Sequence, residues 1–519
     1  MSSVQTAVAS SQNISLPRAE YDALQAQVQT LQTQLDWFKR QLFGAKSEKR
    51  LEIDPAMQAD LLAALGEDLP APVKPETEKI TYERRKLRSD KTVTDTGLRF
   101  DDSVPVETIV LSSPELTNVP EDERVLITEK ITYRLAQRPG SYVVLKYVRP
   151  VIKRKETDEL VTPLAPVNVL DKSIADVSFL AGMLVDKFMY HLPLYRQHQR
   201  LRQCGIEIAR PTLTNLSGRA IDLLEPIFDA QFEHILKSRV LAMDETPIKA
   251  GRKAKGKMRQ GYLWPLYGEA DEVVFSYTPS RAAGHVRDVL GESFSGTLVS
   301  DGYEAYARYA RQNTLVTHAE CWAHTRRYFE RAKEADPEAA ARALELIGEL
   351  YRIEAHIRDR KLTDETKLKY RTEHSEPAVQ AFWQWCDEQC QRHDLLPSHP
   401  LTKALKYAMG RTDPLKVFLS DPDVPIDTNH LERALRPIPM GRKNWLFCWT
   451  ELGAQQVGII QSLLVTCKLH GINPHIYLVD VLQRISQHPA SRVIELTPRV
   501  WKEKLADNPL CSDLDHRDH

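Results

Sequence analysis

The chain has 519 residues, 42% apolar and 27% charged, with a net charge of −1. That length suits roughly three or four globular domains. No apolar run is long enough to span a bilayer, no secretory signal is visible, and seven scattered cysteines exclude a disulfide framework and suit a reducing cytoplasm. Near-neutrality argues mildly against nucleic-acid binding, unless basic residues cluster locally.

Residues 18–43 predict a coiled coil. Tyr21, Leu24, Val28, Leu31, Leu35, Phe38 and Leu42 alternate spacings of three and four, which keeps one apolar seam on a helix. The partner helix is another copy or another part of the chain, and the Gln-rich polar positions favour self-association. Residues 44–104 have linker composition, with the basic stretch AKSEKR and Pro70, Pro72 and Pro75 among charges. Residues 105–165 predict a small β-containing module. In it SYVVLKYVRPVIKRK reads as one strand, or as two broken near Pro150.

Residues 170–236 predict helices. A turn at Cys204-Gly205 and a second helix starting near Pro211 outline either a DNA-binding helix-turn-helix or a plain helical hairpin. From 238 to 333 the pattern changes to three strands, helix, strand, helix, strand, helix, which implies a mixed sheet with helices packed on it. Residues 334–415 are helical in pattern. Leu346, Leu350, Ile353 and Ile357 form one apolar stripe there, and Val379, Phe382, Cys386 and Cys390 another, which gives the cysteines a core role. A motif-rich segment spans 416–450. Within 451–519 two helices are predicted, separated by a stop at Gly471, a cap at Asn473 and an opening Pro474.

Two acidic residues share one context. RVLAM ends at Asp244 and GTLVS ends at Asp301, so each carboxylate stands where a strand leaves the sheet. Strands of one sheet end side by side, and two carboxylates brought together repel unless a proton or cation lies between them. Mg²⁺ or Mn²⁺ meets that need with hard oxygen ligands. A third acid lies in DTNHLERALRPIPMGRKNW, where Asp427, Thr428 or Asn429 caps a short helix and Asn429, Glu432 and Arg436 share one face. Basic residues flank these acids. Lys249, Arg252, Lys253, Lys255, Lys257 and Arg259 crowd one segment; Arg433, Arg436, Arg442 and Lys443 crowd the other. The expected DNA contacts are Lys253, Lys255, Lys257, Arg433, Arg436, Arg442 and Lys443.

QLDWFKRQLFGAKSEKR, FMYHLPLYRQ, LAMDETP, VSDGYEAY, CWAHTRRYFE, NHLERALRPIPMGRKNWLF and LLVTCKLHGINPHIYL run in order over residues 34–478. Together they resemble the insertion sequence 66 family of bacterial transposases. The resemblance implies a multidomain α/β plus α protein: a ribonuclease H-like mixed-sheet catalytic domain with a helical insertion, behind an N-terminal coiled coil. It implies an Asp244, Asp301 and Glu432 triad holding two Mg²⁺ or Mn²⁺ ions. It also implies cleavage at transposon ends and strand transfer into target DNA, in the bacterial cytoplasm at the nucleoid. Partners implied are transposon-end and target DNA, further copies through the coiled coil, and small companion proteins; no membrane is expected. Many members carry a cysteine-rich zinc module near the start, but residues 51–203 contain no cysteine, so no zinc is expected there. Cys321 and His324 form a Cys-x-x-His arrangement that lacks a clear fourth zinc ligand. A structural or positioning role near the site is expected for them, as for Asn429. Two other readings of the same residues are a DNA-binding protein that does not cut and a two-metal nuclease that does not join.

Overall fold

In the computed structural model the described residues are 92–93 and 97–515, apart from 103, 112–123, 139, 156–157, 159, 255 and 446–447. The predicted coiled coil, the linker up to 91 and Lys255 lie outside them.

A long hairpin dominates the first part of the described region. Strand β4 (Arg124–Arg138) pairs antiparallel with β5 (Ser141–Arg154), β3 (Val106–Val110) lies parallel on the other side of β5, and β6 (Leu160–Val161) joins further along. β5 runs unbroken through Pro150. The pairing with β3 stops at Val148, so the proline falls where β5 has no β3 neighbour, and the missing N–H is tolerated. Two short strands, β1 (Thr92–Val93) and β2 (Arg99–Phe100), form a separate small sheet with β7 (Ile206–Glu207).

Helices follow: α1 (Val177–Phe188), α2 (Leu194–Gln203), α3 (Arg210–Asp222) and α4 (Glu225–Ile235). Asp176 caps α1 by accepting from Ser178 N at 2.9 Å. The α2–turn–α3 unit packs through Leu201, Leu213, Leu216 and Ile221, which are buried, and leaves Arg202, Arg210 and Arg219 exposed.

The central sheet is built, in spatial order, from β11 (Val273–Thr278), β10 (Lys257–Tyr267), β8 (Val240–Met243), β12 (Gly296–Ser300) and β13 (Val316–Glu320). β8, β12 and β13 are parallel, whereas β10 is antiparallel to both β8 and β11. A further strand, β9 (Thr246–Ala254), folds back on β10 from the segment that read only as a basic cluster. Side chains alternate between two cores. Leu241, Met243, Trp264, Leu266, Val274 and Leu298 pack under α5 (Gly284–Leu290) and α6 (Glu304–Gln312). Val240, Ala242, Leu263, Val273, Phe275 and Val299 belong to the larger core on the opposite face. A sheet covered on both faces explains why β8 reads as an uninterrupted apolar run.

The opposite face is covered by α14 (Glu451–Leu469), buried from Val457 to Cys467. Between sheet and α14 in sequence lie α7 (Trp322–Ala332), α8 (Pro337–Asp359), α9 (Asp364–Tyr370), a π-turn at Arg371–Ser375, α10 (Glu376–Cys390), α11 (Pro400–Met409), α12 (Asn429–Leu435) and α13 (Pro437–Trp445). Arg371, fully buried in the π-turn, ties this helical region together. It meets Glu354 on α8 through two nitrogens at 2.8 and 3.0 Å and donates to the carbonyls of Phe418, Asp421 and Val424. Cys386 is buried as its apolar stripe predicts, but Cys390, on the last turn of α10, is exposed and takes no part in the core. The last two α-helices among the described residues are α15 (Pro474–Arg484) and α16 (Pro498–Lys504). Among the described residues no helix is long and apolar enough to cross a membrane.

Candidate active site

β8 and β12 are parallel neighbours, with Ala242 opposite Val299. Those partners are 57 positions apart, as are Asp244 and Asp301. Continuing the register by two residues sets the two aspartates side by side where the strands end, about 4.8 Å of strand spacing apart. The carboxyl ends of parallel strands are where open α/β sheets collect their ligands. Asp301 Oδ1 accepts from Tyr303 N at 2.9 Å, which fixes the turn into α6. Asp244 Oδ1 accepts from Glu245 N at 2.7 Å. Burial, then the charges of Glu245, Asp301 and Glu432, push the Asp244 carboxyl up to about 7.

Glu432 stands in the first turn of α12. The start of that helix is tied to the sheet side by Cys321, whose buried Sγ accepts from Thr428 N at 3.3 Å and Thr428 Oγ1 at 3.4 Å. Burial pushes the Cys321 thiol up to about 11, so it remains a protonated thiol. Asn429 is bound to Asp427 through its backbone and side-chain nitrogens. Glu432 itself is held by Arg327 of α7. Arg327 Nη2 donates to both carboxylate oxygens at 2.7 and 2.6 Å, and Nη1 lies 3.0 Å from His324 Nε2. Burial and the neighbouring Arg327 charge lower His324 below its ordinary value, which makes it a neutral acceptor for Arg327.

Glu245, adjacent to Asp244, is a fourth acid. Its side chain is nearly buried, paired with Arg281, and accepts from Tyr306 OH at 2.5 Å. A fifth, Glu320 at the end of β13, lies opposite Ser300. Arg411, just past α11, reaches across to it at 2.8 Å and donates to the Gly302 carbonyl at 2.9 Å, beside Asp301. A Cβ on Gly302 would meet Tyr407 OH at 2.4 Å, so a larger residue there would have to displace the Tyr407 and Arg411 side chains.

The basic residues divide. Arg433, Arg436 and Lys443 are exposed on α12–α13, and Lys253 and Lys257 are exposed near the end of the β9–β10 hairpin. Arg442 instead donates to the Pro247 carbonyl and fastens α13 to β9. Sequence reading missed Arg327, Glu245, Arg281 and Arg411. A signal existed for Arg327: it lies three positions after His324, on the same helical face.

The carboxylates offer hard oxygen donors, and the unneutralised crowding at Asp244 suits a divalent cation. Among the described residues, however, no three His, Cys, Asp or Glu side chains lie close enough to share an ion. At Glu432 both carboxylate oxygens are turned to Arg327.

Comparison with known proteins gives the family. The family model described as "Transposase IS66 family" matches residues 172–456, "IS66 C-terminal element" matches 462–499, and "Transposase C of IS166 homeodomain" matches 30–109. Three similar proteins come from Sinorhizobium fredii (strain NBRC 101917 / NGR234), each named only as uncharacterized. The protein y4hP is 28% identical over 504 residues, 92% of this chain and 89% of its own length. The protein y4qI is 30% identical over 406 residues, 74% of each chain. The protein y4jD is 26% identical over 509 residues, 93% of this chain and 96% of its own length. With more than half of its length inside the first of these family matches, the chain belongs to the IS66 family of transposases.

Proposed function

We propose that this transposase cleaves DNA at transposon ends and joins the freed 3′-hydroxyl to target DNA, using Asp244, Asp301 and Glu432 to hold two Mg²⁺ or Mn²⁺ ions. The observation that carries this reading is the parallel β8–β12 register, which brings Asp244 and Asp301 to the same carboxyl end of the two strands, within reach of the Glu432 charge. The strand order β11-β10-β8-β12-β13, with β10 alone running against the others, supports a ribonuclease H-like catalytic domain. Residues 334–415 are then its helical insertion.

When bound, the cations lower the pKa of the attacking water or 3′-hydroxyl and stabilise the departing oxygen. The chain's own residues bind and orient. Cys321 and Thr428 fix the helix that presents Glu432, and Arg411 fixes the turn after Asp301. Arg433, Arg436, Lys443, Lys253 and Lys257 supply exposed charge for phosphates. Transposon-end and target DNA are the partners, with self-association through residues 18–43, small companion proteins, and action at the nucleoid in the cytoplasm.

Asp244→Asn, Asp301→Asn and Glu432→Gln proteins are expected to bind end DNA yet lose metal-dependent cleavage and strand transfer. Wild-type cleavage by all three variants would refute the assignment. The Arg327 grip on Glu432 favours one second reading, a DNA-binding protein that does not cut. A gel shift paired with a cleavage assay in Mg²⁺ or Mn²⁺ separates the two: binding without cutting supports the second reading.

A further inference from the structure

The position of Arg327 poses a chemical conflict. A single nitrogen, Nη2, spans both oxygens of Glu432, the edge through which a carboxylate chelates a cation. A guanidinium and a divalent cation on that edge would repel each other across a few ångströms. The guanidinium is not locked in by packing: its side chain is 43% exposed, and its other contact is the His324 ring. An arginine released beside a phosphodiester site has an obvious new partner, because its planar fork matches phosphate oxygens.

We propose that Arg327 is a phosphate-binding residue held in reserve. Without metal and DNA its guanidinium neutralises Glu432; on loading, Glu432 turns to the cations and Arg327 passes to a DNA phosphate. This rests on the reading of Asp244, Asp301 and Glu432 as metal ligands. The backbone need not move for the exchange. α7 begins at the residue after Cys321, and Cys321 is bonded to Thr428 at the start of α12, so the two helices stay in register while two side chains swap partners. One consequence is thermodynamic. If Arg327 competes with metal at Glu432 and is drawn off by phosphate, metal and DNA strengthen each other's binding, and the coupling is reciprocal. Another is protective: the site takes up metal poorly until DNA is present.

The test is a Mn²⁺ titration of the full chain, read by the electron-paramagnetic signal of free Mn²⁺. It is run without DNA and with a duplex ending at the element's cut 3′-hydroxyl, which leaves nothing to cleave. Without DNA, Arg327→Gln is expected to bind Mn²⁺ about three- to tenfold more tightly than wild type, the scale of losing one partly exposed ion pair. Arg327→Lys, which keeps the charge but not the fork, should fall between. The duplex should tighten Mn²⁺ binding by wild type and leave Arg327→Gln unchanged. Equal or weaker Mn²⁺ binding by Arg327→Gln, or full DNA coupling in that variant, overturns the exchange. Asp244→Asn and Asp301→Asn test the underlying reading separately. If they bind Mn²⁺ like wild type, the carboxylate assignment fails and the exchange with it. If they lose it while Arg327→Gln shows no gain, only the exchange fails.

Discussion

Asp244 and Glu245 are adjacent acids with different surroundings. Glu245 spends its charge on Arg281 and Tyr306, whereas Asp244 has no ion pair among the described residues. That division is why the pair carries one candidate ligand and one anchor. Cys321 is an anchor too. Removing its sulfur in Cys321→Ala leaves the buried Thr428 N–H without its acceptor, at a cost of about 1–3 kcal/mol. We expect that loss in chemical denaturation, together with reduced activity as α12 loosens, and no change in melting temperature on adding a zinc chelator. A chelator-induced drop would show that the thiol binds metal after all. His318 sets a pH response. Burial first, then the charges of Arg411 and Arg311, lower it to about 4, while Ser300 Oγ lies 2.8 Å from Nε2. Between its ordinary value near 6.5 and about 4, the unfolded chain takes up a proton that the folded chain refuses. Stability from this residue is therefore present above that window and lost as pH falls through it, by up to about 3 kcal/mol. Comparing melting temperatures of wild type and His318→Gln across that window isolates the effect, since other groups titrate alike in both. Parallel curves would sink the claim.

Strand β11 is an edge strand, and edge strands need their unpaired N–H groups covered. Helix α14 supplies the cover: Ser462 Oγ accepts from Phe275 N at 2.9 Å and Thr466 Oγ1 from Val273 N at 3.2 Å. Contact this close requires Gly458, where a Cβ would meet the Phe275 carbonyl oxygen at 2.3 Å. Gly458→Ala should push the helix off the strand and cost about 2–4 kcal/mol, against about 1–3 kcal/mol for Ser462→Ala. Urea unfolding decides it, and a Gly458→Ala change within about 0.5 kcal/mol of wild type would contradict the packing argument. The helix itself was legible in sequence, as were its stop at Gly471 (φ +66°) and the next start, where Asn473 accepts from His475 N at 2.9 Å ahead of Pro474. Local signals of this kind act over a few residues. What α14 covers was not legible, because the hydroxyls that meet β11 lie 187 and 193 positions from their donors. The same distance effect hid Arg327, whose partner Glu432 is 105 positions away, whereas Asp244 and Asp301 announced themselves because each directly follows its own strand. β9 escaped notice for another reason: its outer half is exposed and basic, so it lacks the apolar alternation that marks a half-buried strand.

Over the whole molecule a net charge of −1 conceals a local field. β9 starts two residues after Asp244, and the β9–β10 hairpin carries Arg252, Lys253, Lys257 and Arg259 out to its exposed end. Among the described residues little neutralises them. Arg259 comes only within 3.7 Å of Glu451, and the Arg252 guanidinium sits 5.1 Å from the Trp449 ring centre. A basic ribbon rooted at the acidic site would draw DNA phosphates towards it and offset the repulsion that the carboxylates exert on the same backbone. Such charges meet phosphate and carry no sequence preference. Replacing Lys253 and Lys257 together by glutamine should therefore weaken binding to element-end DNA and to random DNA by the same factor. It should also flatten the dependence of log affinity on log salt by about 0.9 for each phosphate no longer neutralised, so about 2 for the pair. Fluorescence anisotropy over a range of salt concentrations measures both quantities. An unchanged slope would mean that the hairpin stays clear of the DNA, and a weakening confined to element-end DNA would mean that it reads bases rather than backbone.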